Sequence, residues 1–135
     1  MKKVVPLLFF LIIMLAFSSC SAEKIANEKI RDIDFTVVEE KYIPEELQAM
    51  ILEKKNTPFK MTYADQGELF VAQGYGKQST SGYSIKVTNC FETENAIYVH
   101  TNLLGPSKEE KITETETYPY IVIKMEFIDK NVVFQ

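Results

Sequence analysis

Apolar and polar residues alternate with a period of two along much of the chain, which is the spacing of strands with one buried face. Three segments show it: residues 59–63, 83–88 and 97–103. A short turn after the first leads into a second strand at residues 68–73, and a turn at residues 93–95 joins the other two. Each pair therefore predicts an antiparallel hairpin.

Three further segments predict strands by composition. Residues 35–38 combine β-branched and aromatic side chains, and residues 132–134 form a short apolar end. Residues 118–125 are apolar almost throughout, which is typical of a strand in the core. We expect Pro119 near the start of that strand, because proline cannot donate a hydrogen bond to a neighbouring strand.

A single helix is predicted before the first hairpin, where the period changes. Leu47, Met50 and Ile51 recur at helical spacing, Pro44 suits the first helical position, and Pro58 marks the stop. The expected fold class is α+β and mostly β: an antiparallel sheet folded as a sandwich or half-barrel, with one helix near the N-terminus. Residues 33–135 are expected to form one domain.

The beginning of the chain has the pattern of a secretory signal in residues 1–19. Two lysines precede an apolar run over residues 4–17, which is shorter than the roughly 20 residues of a membrane span. Residues 15–20 resemble the bacterial lipobox, although Phe17 stands where a smaller aliphatic residue is usual, and cleavage without lipidation stays open. We expect acylation (palmitate) at Cys20 and a polar tether over residues 20–32, which would hold the domain on the extracytoplasmic side of a bacterial cell membrane.

Charge and composition exclude several functions. The net charge is −4, and loss of Lys2 and Lys3 with the signal would make it about −6, so no electrostatic basis exists for nucleic-acid binding. His100 is the only histidine and is expected at the surface, and Cys90 is expected to be a buried apolar residue. We therefore predict no catalytic residue, no metal site and no cofactor.

The segment most suggestive of function is the glycine-rich run over residues 74–83. It is not a nucleotide-binding loop, because Ser79 replaces the third glycine of that motif and a strand follows instead of a helix. Either it displays Tyr75, with Lys77 and Thr80 around it, to a protein partner, or it is an ordinary long connection with Tyr83 packed inward. The candidate partner-binding residues here are Tyr75, Gly76, Lys77, Thr80, Gly82 and Tyr83.

Together with residues 35–47 and 118–122, this run resembles the C-terminal domain of the PrcB family, bacterial lipoproteins named for an accessory subunit of a surface protease complex. Ser81 departs from the Gly-Gly pair of the family pattern. The resemblance implies a non-enzymatic domain that binds or stabilises another protein, with a protease as the candidate partner, and adds Tyr118, Pro119 and Tyr120 to the candidate site. A looser similarity is to chagasin-like protease inhibitors, which implies the alternative that the same loops inhibit a protease.

Overall fold

The computed structural model describes residues 28–135. The predicted signal peptide, Cys20 and the tether up to residue 27 lie outside this part. Along the described part, the elements in chain order are β1 (Lys29–Asp32), β2 (Thr36–Val37), a 3-10 helix (Glu40–Tyr42), α1 (Glu45–Lys54), β3 (Pro58–Asp65), β4 (Glu68–Tyr75), β5 (Ser84–Thr93), β6 (Ala96–Leu104), β7 (Tyr120–Glu126) and β8 (Asn131–Phe134).

The strands form two four-stranded sheets that face each other. Sheet A has the order β1-β5-β6-β8, and sheet B has the order β2-β7-β4-β3. Both predicted hairpins are present, as β3 with β4 and as β5 with β6. All neighbouring strands are antiparallel except β6 and β8. The predicted class, a mostly β antiparallel sandwich with one helix, is confirmed.

Strand β4 is buried on both faces, and this makes the fold three layers thick. Leu69 and Val71 belong to the core between the two sheets. Phe70 and Ala72, which alternate with them, belong to a second core beneath α1. The helix therefore covers the outer face of sheet B.

Helix α1 lies where its periodicity predicted it. Leu47 and Ile51 are fully buried against sheet B, whereas Met50, predicted on the same face, is 36% exposed at its margin. Pro44 immediately precedes the first helical residue, and Glu45 and Glu46 in the first turn suit the helix dipole. Within residues 28–135 no helix has the length and apolar character that crossing a membrane requires.

Strand β1 lies in the segment that was predicted to be tether, so ordered structure begins before Ile33. Its four residues are all exposed and show no apolar alternation, which is why the pattern missed it. The strand is held by pairing with β5 at the edge of sheet A and by an ion pair of 2.7 Å between Arg31 and the buried Glu92. Ile33 then enters the core, and its amide donates to the Cys90 carbonyl.

Candidate functional site

The two segments that the sequence singled out, residues 74–83 and 118–120, lie side by side at one end of the sandwich. The Tyr75 amide donates to the Pro119 carbonyl over 3.1 Å. Gln78 and Thr117 exchange two backbone hydrogen bonds, of 2.8 and 3.0 Å. The Thr117 hydroxyl also donates to the Thr80 carbonyl over 2.7 Å. The structure thus joins the two candidate segments into one surface.

The far half of the glycine-rich run is also fixed. The Ser81 amide donates to the Thr113 carbonyl over 3.0 Å, and the Thr113 amide donates to the Ser81 hydroxyl over 2.8 Å. This run is therefore a shaped connection held against residues 113–117, and its backbone is ordered without a partner.

Tyr75 is not displayed on this surface, contrary to the expectation for a partner-binding tyrosine. Gly74 does not begin the loop but continues β4, so Tyr75 follows Leu69 and Val71 on the face toward sheet A. Its hydroxyl lies 2.5 Å from the Thr101 hydroxyl, which donates to the side-chain oxygen of Gln73 over 2.8 Å. Tyr75 therefore closes the end of the core.

The buried polar pair in this network was not foreseen. Gln73 is 8% exposed and Thr101 is 6% exposed. Gln73 follows Leu69 and Val71 on the same face of β4, and this position in an apolar series was the signal available in the sequence. A buried amide requires a partner, and Thr101 on the facing sheet supplies it.

Gly76 and Gly82 shape the connection. Both have a positive φ, of 75° and 94°, which residues with a side chain rarely adopt. A Cβ atom on Gly76 would lie 2.9 Å from Cδ of Pro58, and one on Gly82 would lie 2.7 Å from Cβ of Pro106. These glycines allow the backbone to turn close to two prolines.

The charged groups of the site form a charged strip, defined by Lys55, Lys77, Glu116 and Tyr118. Lys77 and Glu116 form an ion pair of 3.4 Å with both side chains more than half exposed. The Tyr118 hydroxyl donates to Glu116 over 3.2 Å, and the Lys55 ammonium lies 5.3 Å from the centre of the Tyr118 ring. Of the predicted residues, Lys77 is thus exposed, whereas Thr80, Tyr83 and Tyr118 are half-buried.

Beside the charged strip lies a groove of about 330 Å³. Tyr118, Pro119 and Tyr120, all predicted as site residues, form one wall. The opposite wall, which the sequence analysis did not assign to the site, comes from the end of β2 and the segment that connects it to α1. Its residues are Val37, Val38, Glu40 and Ile43.

The side chains considered for chemistry lie elsewhere. His100 is half-buried in β6, and its ring contacts the Thr88 hydroxyl. Cys90 is a free, buried cysteine, as predicted, and burial raises the pKa of its thiol to about 11. Among residues 28–135, no three His, Cys, Asp or Glu side chains come together as metal ligands would.

Comparison with known proteins adds one finding. Residues 69–126 match the family model described as PrcB C-terminal. The matched residues run from β4 through β7 and include the glycine-rich run and the Tyr118-Pro119-Tyr120 motif. No curated protein and no solved structure gives a significant match to the chain.

Proposed function

From the PrcB C-terminal domain identified by residues 69–126, we infer that this chain is an accessory protein-binding subunit, anchored by lipid on the extracytoplasmic side of a bacterial cell membrane. The family match is the observation that carries the proposal. Its partner is another protein, and the resemblance to protease-complex subunits makes a secreted or surface protease the first candidate. The subunit holds or stabilises that partner and performs no catalysis itself.

The geometry of the loop end supports recognition by a preformed surface. The hydrogen bonds between residues 78–81 and 113–117 already fix the backbone, so binding would cost little ordering entropy there. The Lys77–Glu116 pair and the half-buried Tyr118 combine charge with an aromatic ring, which suits the rim of a protein interface.

Membrane attachment in this proposal depends on Cys20. Several acyl chains hold a protein on a bilayer. Among residues 28–135, no helix is long and apolar enough to span the membrane in their place. Cys20→Ala in the full chain should release the protein from the membrane pellet into the soluble extracytoplasmic fraction. A variant that has lost its signal peptide, as judged by its mass, and still stays in the pellet after high-salt washing would contradict lipid anchoring.

The partner surface can be tested by reversing one exposed charge. The full chain with a C-terminal tag is purified from solubilised membranes of its own bacterium, and co-purifying proteins are quantified by mass spectrometry. Lys77→Glu should deplete the specific partner about tenfold, since a rim charge of the wrong sign repels it. Lys86→Glu, an equally exposed change on β5, is the matched control and should retain the partner.

A fold defect is separated from a binding defect by the double variant Lys77→Glu with Glu116→Lys. This swap restores the ion pair in the opposite direction, so it should melt like the unmodified protein but still lose the partner. Equal recovery of the partner with Lys77→Glu and Lys86→Glu would refute the placement of the site.

The alternative function, a protease inhibitor, is favoured by the hydrogen bonds that hold residues 78–81 against residues 113–117, which lead directly into residues 118–120, at one end of a two-sheet sandwich. The two functions predict opposite results in a protease assay. An accessory subunit preserves or raises the activity of its partner, whereas an inhibitor lowers it in proportion to its occupancy.

A further inference from the structure

Strand β7 is fully paired on one side only. On that side β4 follows it from Tyr120 to Glu126. On the other side β2 pairs with Lys124 and Ile123 alone, and one more hydrogen bond, from the Val38 amide to the Val122 carbonyl, ends the contact. The first two residues of β7 therefore extend beyond β2.

The direction of the Tyr120 peptide groups follows from the hydrogen-bond pattern. In an antiparallel pair, successive residues of a strand point their N–H and C=O groups to alternate sides. Pro119 directs its carbonyl toward β4, where it accepts from Tyr75, and Val122 directs its carbonyl toward β2. Tyr120, in phase with Val122, therefore presents its amide and carbonyl on the β2 side.

No strand within residues 28–135 meets those groups. The pairs Thr36 with Lys124 and Val37 with Ile123 would place Glu40 opposite Tyr120. At Glu40, however, the chain has already turned into the 3-10 helix. The groove occupies the gap left between the departing chain and the edge of β7.

The lining of this groove defines what could fill the gap. Val37, Val38 and Ile43 provide an apolar wall, and Glu40 is the one charged residue that lines it. Glu40 is exposed and forms no ion pair with any residue from 28 to 135. An extended peptide would satisfy the Tyr120 backbone, place an apolar side chain against the valines and set a Lys or Arg beside Glu40.

We propose that the open edge of β7 at Tyr120 binds an extended, apolar and basic segment of the partner protein, which continues sheet B where β2 ends. Addition of a strand to an exposed sheet edge obtains affinity from main-chain hydrogen bonds and selectivity from side-chain pockets. This inference rests on the proposed function and names the binding mode and the partner segment.

The other long edge of sheet B is less suited to this role. Strand β3 begins with Pro58, which has no amide to donate, and the Lys60 ammonium of the same strand lies over the Phe134 ring. Proline and lysine are the residues that proteins use to prevent pairing at an edge strand. Binding at β3 is therefore the competing outcome that an experiment must detect.

The test uses the full chain in detergent micelles and a fluorescein-labelled peptide of sequence Thr-Val-Lys-Val-Lys-Val-Thr, with fluorescence anisotropy as the readout and empty micelles as the blank. The same peptide with N-methyl groups on alternate residues keeps the side chains but loses the backbone donors. We expect saturable binding of the first peptide and binding at least about tenfold weaker for the methylated one.

Two charge variants locate the site. Glu40→Lys should weaken peptide binding about tenfold, because it replaces an attractive charge by a repulsive one. Glu94→Lys, in the turn between β5 and β6 and equally exposed, should leave the affinity within about twofold. A benzophenone version of the peptide should cross-link to residues 37–43 or 118–122.

Three results would overturn the proposal: no saturable binding, equal binding of the methylated peptide, or cross-links confined to residues 58–65. None of these results contradicts the proposed function. If the peptide fails in this way while Lys77→Glu still depletes the partner, a protein partner binds the charged strip without strand addition. If Lys77→Glu has no effect but the peptide binds as expected, the edge is the site and the strip is not.

Discussion

Gly74 offers the sharpest test of the packing beneath the helix, because its missing side chain makes room for a ring. It pairs directly with Phe59 across β3 and β4. A Cβ atom at Gly74 would lie 2.2 Å from Cε1, 2.6 Å from Cδ1 and 2.9 Å from Cζ of that ring. The Phe59 side chain is 8% exposed and belongs to the core under α1, so it has little space to move away.

The cost of Gly74→Ala can be bounded from this geometry. Overpacking by one methyl group in a tight core typically costs about 1 to 3 kcal/mol. Phe59→Ala alone should cost about 3 to 5 kcal/mol through the lost ring. In the Phe59→Ala background the added methyl meets no ring, so Gly74→Ala should then cost about 0 kcal/mol or stabilise slightly, since alanine loses less backbone freedom than glycine. The coupling energy between the two sites should therefore be about 1 to 3 kcal/mol.

Urea unfolding followed by far-ultraviolet circular dichroism measures the four free energies. Gly105→Ala is the control, because its Cβ would lie 3.6 Å from the nearest atom, in Tyr83, and should change stability by less than about 0.5 kcal/mol. If Gly74→Ala costs the same with and without the Phe59 ring, the close contact is not the cause, and the reasoning fails.

Three further predictions concern single side chains. Tyr75→Phe should cost about 0.5 to 1.5 kcal/mol in the same assay, because it removes the hydroxyl that meets Thr101 at the end of the core. Cys90→Ala should cost about 1 to 2 kcal/mol, and the native thiol should resist Ellman's reagent until the protein unfolds, since burial raises its pKa to about 11. The hydrogen bond from Lys130, and after it the one from Arg31, holds the pKa of Glu92 below its ordinary value. These bonds therefore stabilise the folded protein at neutral pH, and this stabilisation is lost as the pH falls through the lowered pKa. Glu92→Gln should therefore lose less stability on acidification than the unmodified protein.

Alternation in the sequence predicted the strands whose two faces differ. In β5 and β6 one face meets the core and the other faces solvent, so apolar residues such as Ile85 and Val87 alternate with polar ones. Turn residues then mark where each hairpin reverses. Helix α1 was equally accessible, because its one buried stripe produces a helical period.

The missed features are those in which local pattern does not carry the structural information. Strand β1 has four exposed residues and is defined by its neighbour β5, so its strand character is tertiary in origin. The orientation of Tyr75 was obscured because Gly74 reads as a loop residue, although Phe59 covers it and the strand continues. Alternation continued from Leu69 through Gln73 would have predicted that Tyr75 faces the core.

The candidate groove also arises from tertiary structure, as a consequence of covering sheet B with a helix. To place Leu47 and Ile51 over the outer face, the chain must leave the edge of the sheet soon after β2 and cross upward through the 3-10 helix. That crossing ends the pairing with β7 before Tyr120 and at the same time supplies Val38 and Ile43 as the opposite wall. Because Ile43 is anchored in the core under α1, both walls are fixed before any partner arrives. A strand added there would order mainly itself, and preorganisation of this kind favours affinity without a larger interface.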